Sequence, residues 1–459
     1  MIKKTIIPYS LLFMYVVLAM SRIQTAAKPY GVFNIIDIRN SIGLTDFEII
    51  IFAFIFFMFL LYRKVKPDDK PLKKLFNYFL IASIIGLLSS LLLSDSRMIA
   101  LRALLAYLRP MIIFLLIAYI PWDEKELRSF FKVFCVLFII NLAVSYYQFI
   151  GLEYVIDDLS GLMDDSVTFV ALMYTGVIYC FVNYLVTKKK INFLFIILIL
   201  IPTLISSTDK ITILMIPTLS IIYIVYKGFR VRYIIKYSIY FILLIFVFVN
   251  VFILFPPTFA TDIIGGLSRI DIKYLSLGEI INQIQIFKGY TNIPIIYKDY
   301  PYSMLVGVGP AMYGSFELLG KFMSNYGQLS SLTPLTSMAF GHAITFGSVG
   351  LFGTGFTSVA SSDVVVLLVE FGIIFSVFYF LFWKRLIEFC LIFRDENIQV
   401  YVRVLLLSLF GYLVFLFMFS FITFYDGIVR TSNVIPYFIL LGMLYRVLEK
   451  YRKVDSIGN

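Results

Sequence analysis

A chain of 459 residues that is 61% hydrophobic and 15% charged, with a mean hydropathy of +0.93, reads as a polytopic membrane protein and not as a soluble globular enzyme. Its net charge of +11 is divided among many short loops, so no basic patch calls for a nucleic-acid partner. One histidine and three cysteines argue against a metal centre, and Cys135, Cys180 and Cys390 are placed so that no disulfide holds an extracytoplasmic segment together.

Apolar runs able to approach or cross a hydrocarbon core of ~30 Å lie near residues 5–20, 46–62, 75–93, 103–120, 131–150, 168–186, 191–206, 211–226, 237–255, 363–383, 404–422 and 432–447. The expected fold is therefore all-α, with about twelve transmembrane helices. Lys3 and Lys4 ahead of the first run, with Ala26 and Ala27 beyond it, also fit a signal peptide, but a retained first span is favoured. Alternate loops carry 26 of the 39 basic residues, which sets both termini in the cytoplasm. The chain then divides into residues 1–255 with spans one to nine, a long extracytoplasmic segment at 256–362, and residues 363–459 with spans ten to twelve and a cytoplasmic tail. Residues 385–403 are either an amphipathic helix on the inner surface or a plain connector.

Residues 256–362 hold 14 of the 26 glycines and few charges, a composition suited to a cap over the bundle. Helical spacing of Ile280, Ile281, Ile284 and Phe287 predicts a short helix over 279–288. A second is expected to start at Pro310, and the uncharged stretch 333–362 suggests a re-entrant or surface-dipping path.

An enzyme on the outer face has no nucleotide pool and must use a substrate activated before it crosses the membrane. Lipid-linked diphosphate sugars meet that need, and they call for cationic residues near the outer interface. Arg102 and Arg109 are spaced i, i+7 on the fourth span, with Arg109 deeper; the competing account is that both snorkel outward. Lys210, in "SSTDK", faces the same side and either binds anions or pairs with Asp209, and Arg269, in "SRIDIKY", is either a ligand or part of a solvated face. Gly307 and Gly309, in "LVGVGPAMYGSF", either present backbone N–H groups to an anion or form a tight packed turn. Asp363 and Glu370, i and i+7 on the tenth span, are costly there unless paired with an arginine such as Arg109 or facing a cavity.

The order of "SSTDKITIL", "SRIDIKY", "LVGVGPAMYGSF" and "SSDVVVLLVEFGIIF" resembles the bacterial O-antigen ligase and polymerase superfamily, in particular its Wzy-type polymerases. The resemblance covers topology over nearly the whole chain and local sequence from about Ser206 to Phe375. It implies a GT-C-like architecture and metal-independent transfer, without a cofactor, from an undecaprenyl-diphosphate donor. It further implies an anion-binding role for Arg269, Gly307, Gly309 and, where the family has an arginine, Lys210. The ligase branch carries a His before the tenth-span glycine; counting back from Gly372, that place is held by Ser361 followed by Ser362, which favours polymerase over ligase. His342, in "HAITFGSVGLFG", is a second place for a catalytic histidine, and a structural role competes with it.

The expected function is polymerisation of undecaprenyl-diphosphate-linked oligosaccharide repeat units into O-antigen or capsular polysaccharide at the outer face of a bacterial inner membrane. Arg109, Arg269, Arg102 and Lys210 would hold the diphosphate, Asp363 or His342 would deprotonate the acceptor hydroxyl, and Glu370 would line the cavity. Membrane lipids, a chain-length regulator and a flippase are the expected partners. The rival readings are an O-antigen ligase, a lipid-linked oligosaccharide flippase or other transporter, and a non-enzymatic assembly partner.

Overall fold

The computed structural model describes residues 70–93, 97–152, 159–163, 166–206, 209–228, 290, 293–294, 296–298, 300–310, 362–394, 398–422 and 431–457. These are mostly helical, with no β-strand among them, and make an all-α membrane protein. Predicted spans one, two and nine, the helix over 279–288 and the stretch 333–361 lie outside the described residues.

Helices follow in chain order: α1 (Lys70–Leu92), α2 (Arg97–Tyr119), α3 (Glu124–Gly151), α4 (Ser166–Thr187), α5 (Ile191–Ile205) and α6 (Asp209–Lys227). The four-residue α7 (Ser303–Val306) belongs to the long segment. Beyond it come α8 (Asp363–Val366), a π-helical turn (Leu367–Phe371), α9 (Gly372–Cys390), a 3-10 turn (Leu391–Arg394), α10 (Val400–Ile422) and α11 (Thr431–Ile457). Among the described residues, five stretches are long and apolar enough to cross a membrane: Lys70–Leu92, Glu124–Gly151, Thr168–Thr187, Asp363–Arg394 and Val400–Phe421.

Local chemistry sets several ends. The α3 helix starts in a capping box, in which Asp123 Oδ1 accepts from the Glu126 amide at 2.8 Å and Glu126 Oε2 accepts from the Asp123 amide at 2.9 Å. Just before it, the buried Trp122 donates through Nε1 to the Ile117 carbonyl at 2.8 Å, tying the turn back onto α2. Asp209 and Lys210 begin α6.

The core is built on α2, which packs against α1 and α11, and on α9, which packs against α1 and α10. Phe114 of α2 meets Phe382 and Tyr445 edge-on, and Tyr412 stacks on Tyr437 with centroids 3.7 Å apart. At the periphery, α3 and α5 turn Val136, Ile139, Ile150, Phe193, Leu194 and Ile197 outward, as a lipid-facing wall requires.

The predicted tenth span is not one continuous helix. It breaks at Gly372, whose backbone (φ 78, ψ 175) lies in a region essentially restricted to glycine. Upstream, α8 touches α10 and the π turn touches α1, the same two helices that α9 packs against. Gly307, closing α7, has nearly the same conformation (φ 78, ψ 177) and packs directly on the break. Residues 385–390 continue α9, and Leu386 and Phe393 are buried in the core, so 385–394 is not a helix lying on a surface.

A Cβ on Gly307 would stand 2.1 Å from the Glu370 carbonyl oxygen, and one on Gly372 would stand 2.5 Å from the Gly307 nitrogen. Gly228 shares the positive φ (81) but has open space around it. Gly228→Ala should cost about 1 kcal/mol of backbone strain, whereas Gly307→Ala and Gly372→Ala should each cost about 3 kcal/mol or more through strain plus backbone collision. Thermal unfolding in detergent should rank the three variants in that order; equal midpoints for all three would contradict the packed joint.

Candidate functional site

A helix end leaves its last carbonyls without intrahelical donors, and inside an apolar bundle those groups must be satisfied by protein. At the break, the Leu368 carbonyl accepts from the Tyr297 hydroxyl at 2.9 Å. The Val369 carbonyl accepts from the Val308 amide at 2.8 Å, and the Glu370 carbonyl from the Gly309 amide at 3.1 Å. The long segment thus supplies the donors that the interrupted helix lacks. Val306 in turn accepts from the Ser89 hydroxyl of α1 at 3.0 Å. A small separate core of Ile296, Val308, Val365 and Val369, edged by Tyr290, Tyr297 and Tyr300, seals the joint.

This arrangement corrects the expectation for Gly307 and Gly309. The Gly307 amide donates to Ser303 at 2.8 Å, and the next two amides go to Val369 and Glu370, so all three are occupied by carbonyls and none is presented to an anion. Of the two roles read from the sequence, these glycines fill the packing one. The helix expected to start at Pro310 lies outside the described residues apart from Pro310 itself, which sits in a turn.

Asp363 and Ser362 open the broken span. Ser362 caps α8 by accepting from the Val365 amide, and its hydroxyl donates to the Tyr290 hydroxyl oxygen at 2.9 Å. The Tyr290 hydroxyl in turn donates to the Phe421 carbonyl, also at 2.9 Å. Burial pushes the Tyr290 hydroxyl up, the bond from Ser362 partly opposes this, and the Asp363 carboxylate adds to the rise. Tyr290 is therefore a neutral neighbour of Asp363.

Arg109, Asp363 and Glu370 are all buried, at 4%, 1% and 0% exposure. For Arg109 this removes the snorkelling account, since its side chain stays inside the protein. Two residues before it, Tyr107 rests edge-on against Phe371 at the break, with centroids 5.2 Å apart. One residue that the sequence reading missed joins the charges: Tyr379, one face of α9 below the break, lies within electrostatic reach of both Asp363 and Arg109. The π turn between Asp363 and Glu370 alters the angular step per residue, so their i, i+7 spacing no longer places them on one α-helical face. Among the described residues, no group of three His, Cys, Asp or Glu side chains is placed to hold a metal ion.

The structure thus brings Glu370, Gly307 and Gly309 together at the break, with Asp363 opening the same span and Arg109 on α2 two residues after Tyr107, which touches Phe371. Arg102 lies within α2 and Lys210 in the first turn of α6. Arg269 and His342 lie outside the described residues. A spacing signal for Tyr379 did exist: it stands i+4 from Phe375 and i−4 from Trp383 on the predicted tenth span, a polar-headed ridge within an apolar run.

Compared with known proteins, the chain matches no family model and no curated protein sequence.

Burial raises the Tyr297 hydroxyl from 10 to about 12. Because the folded value lies above the unfolded one, the stabilisation from docking Tyr297 is complete below pH 10 and is lost as the pH rises through about 12. An ultraviolet difference titration of wild type against Tyr297→Phe should show one phenol ionising near pH 12; a difference centred at 10 would mean that Tyr297 is not held in the joint.

Proposed function

We propose that this protein polymerises undecaprenyl-diphosphate-linked oligosaccharide repeat units into O-antigen or capsular polysaccharide at the outer face of a bacterial inner membrane. The observation that carries the proposal is the burial of Asp363 and Glu370 on one broken span and of Arg109 on α2, which packs against that span through Tyr107 and Phe114. Ionisable side chains within an apolar bundle are expensive, and they are retained where a polar substrate or a charge relay uses them.

In this reaction a hydroxyl on the non-reducing sugar of an incoming lipid-linked unit attacks the anomeric carbon of the growing glycan. The bond from that carbon to the diphosphate oxygen breaks, and undecaprenyl diphosphate leaves with the electron pair. Arg109 stabilises the charge developing on the leaving group, joined by Arg102, spaced i, i+7 from it, and by Arg269 and Lys210 as the family resemblance implies. Asp363 takes the proton of the attacking hydroxyl, a role His342 can fill instead, and Glu370 lines the cavity for the acceptor. Transfer is metal-independent and needs no cofactor. A chain-length regulator and a flippase are the partners that such a polymerase requires.

One observation favours a second reading. Discontinuous helices with buried charges also form the substrate sites of secondary transporters, so a lipid-linked oligosaccharide flippase shares the broken span. A polysaccharide gel from a deletion strain separates the alternatives. Polymerase loss leaves core carrying one repeat unit, ligase loss leaves bare core, and flippase loss traps repeat units on the cytoplasmic leaflet. Complementation with Arg109→Ala or Arg269→Ala should abolish long chains at unchanged protein level, a loss of at least about a hundredfold for a removed transition-state donor. A normal ladder from both variants would sink the anionic-site assignment.

A further inference from the structure

At the far end of α4 the chain adopts a backbone that energetics disfavours. Among the described residues, Lys188 is the one non-glycine residue with a positive φ (60). Glycine or asparagine takes such a helix end at little cost, and a residue held there against that preference points to a use for its side chain. Here the side chain is an exposed ammonium laid over two rings, 5.5 Å from the centroid of Tyr184 and 5.9 Å from that of Tyr226. Lys227 lies over the same Tyr226 ring at 5.7 Å, so one tyrosine carries two cations.

The turn beneath them is firmly built. The Lys188 amide donates to the Tyr184 carbonyl at 2.8 Å, and the buried Asn192 closes the turn by donating through its side chain to the Lys189 carbonyl at 2.9 Å. Asn192 accepts in its turn from Asn183 of α4 at 3.1 Å, and Tyr226 of α6 donates to the Leu185 carbonyl at 3.0 Å. These bonds gather the ends of α4, α5 and α6, and with them Lys188, Lys189, Lys190 and Lys227, all exposed. Among the described residues no carboxylate pairs with any of the four. Like charges held together without a counter-charge repel, and an anion between them removes that cost.

Directly beside this cationic edge, α5 turns Ile191, Phe193, Leu194 and Ile197 outward. Its 15 residues run about 22 Å at 1.5 Å each, more than the ~15 Å of hydrocarbon in one leaflet. A soluble anion would leave that apolar wall unused, whereas a phospholipid matches both parts. On the topology expected from the sequence this edge faces the cytoplasmic leaflet, where anionic lipids concentrate.

We infer that the α4–α5 turn and the end of α6 form a binding site for an anionic phospholipid, with its phosphate between Lys188 and Lys227 and its acyl chains along α5. The site is separate from the proposed reaction, in which none of these residues acts.

The purified full chain in neutral detergent is titrated with phosphatidylglycerol, with phosphatidylcholine and with inorganic phosphate, and bound molecules are counted by native mass spectrometry. One phosphatidylglycerol is expected to bind roughly tenfold more tightly than phosphatidylcholine. Lys188→Gly removes the ammonium and relieves the backbone together, so it should weaken phosphatidylglycerol about fivefold with no fall in the thermal midpoint. Lys74→Gln, which removes an exposed lysine of α1, should leave the affinity unchanged. Should Lys188→Gly lower the midpoint, Lys227→Gln decides on the same fivefold criterion.

Equal affinity for the two lipids, or an equal loss in Lys74→Gln, overturns the inference, because the charge would then act from the whole surface and not from this turn. Inorganic phosphate bound as tightly as the lipid overturns it too, since the apolar wall would contribute nothing. Each of these results leaves the polymerase proposal to its own gel.

Discussion

The structure depends on a joint made mainly of main-chain atoms, with one tyrosine hydroxyl. The tenth predicted span stops at Phe371, and the Leu368, Val369 and Glu370 carbonyls it leaves behind are taken up by Tyr297, Val308 and Gly309 from a segment more than sixty residues earlier. Each side needs the other. Without residues 297–309 the helix end would hold unsatisfied acceptors in an apolar interior, and without the break the Val308 and Gly309 amides would have no such carbonyls to bind. Two glycines in the same conformation, Gly307 and Gly372, let the backbones approach closely enough for this exchange.

From the joint, order is passed down one ridge of α9. Phe371 stacks on Phe375, Phe375 on Tyr379, and Tyr379 leans on Trp383, with Tyr107 of α2 braced against the upper end. Arg109 and Asp363 act on this ridge at Tyr379. The buried charges are therefore held by rigid helices and stacked rings instead of by loops, which is the condition for a site whose polar groups keep their places while a substrate comes and goes.

Much of the architecture was legible because apolar run length is a strong signal: the predicted runs at 75–93, 103–120, 131–150 and 404–422 each fall on a described helix. The depth of Arg109 was legible too, since an arginine more than one turn inside an apolar run has few reasons to be there. The break at Gly372 was not. Hydropathy stays high through Asp363–Arg394, and a single glycine inside such a run reads as tolerable; only its partner Gly307, remote in sequence, reveals a bend. For the same reason Gly307 and Gly309 were assigned an anion: the pattern of small residues is shared by phosphate turns and by backbones in close contact, and tertiary structure alone tells them apart. Tyr379 was overlooked because a tyrosine in an apolar stretch looks like one more aromatic until its neighbours' charges are known.

A seam sewn from amides and carbonyls makes few demands on the identity of side chains. Around Gly307 and Gly372, apolar side chains of similar volume can replace one another and the stitch survives. Ancestry in such a protein would outlast any recognisable wording of its sequence, persisting as the interval between two achiral residues, each closing a short greasy coil.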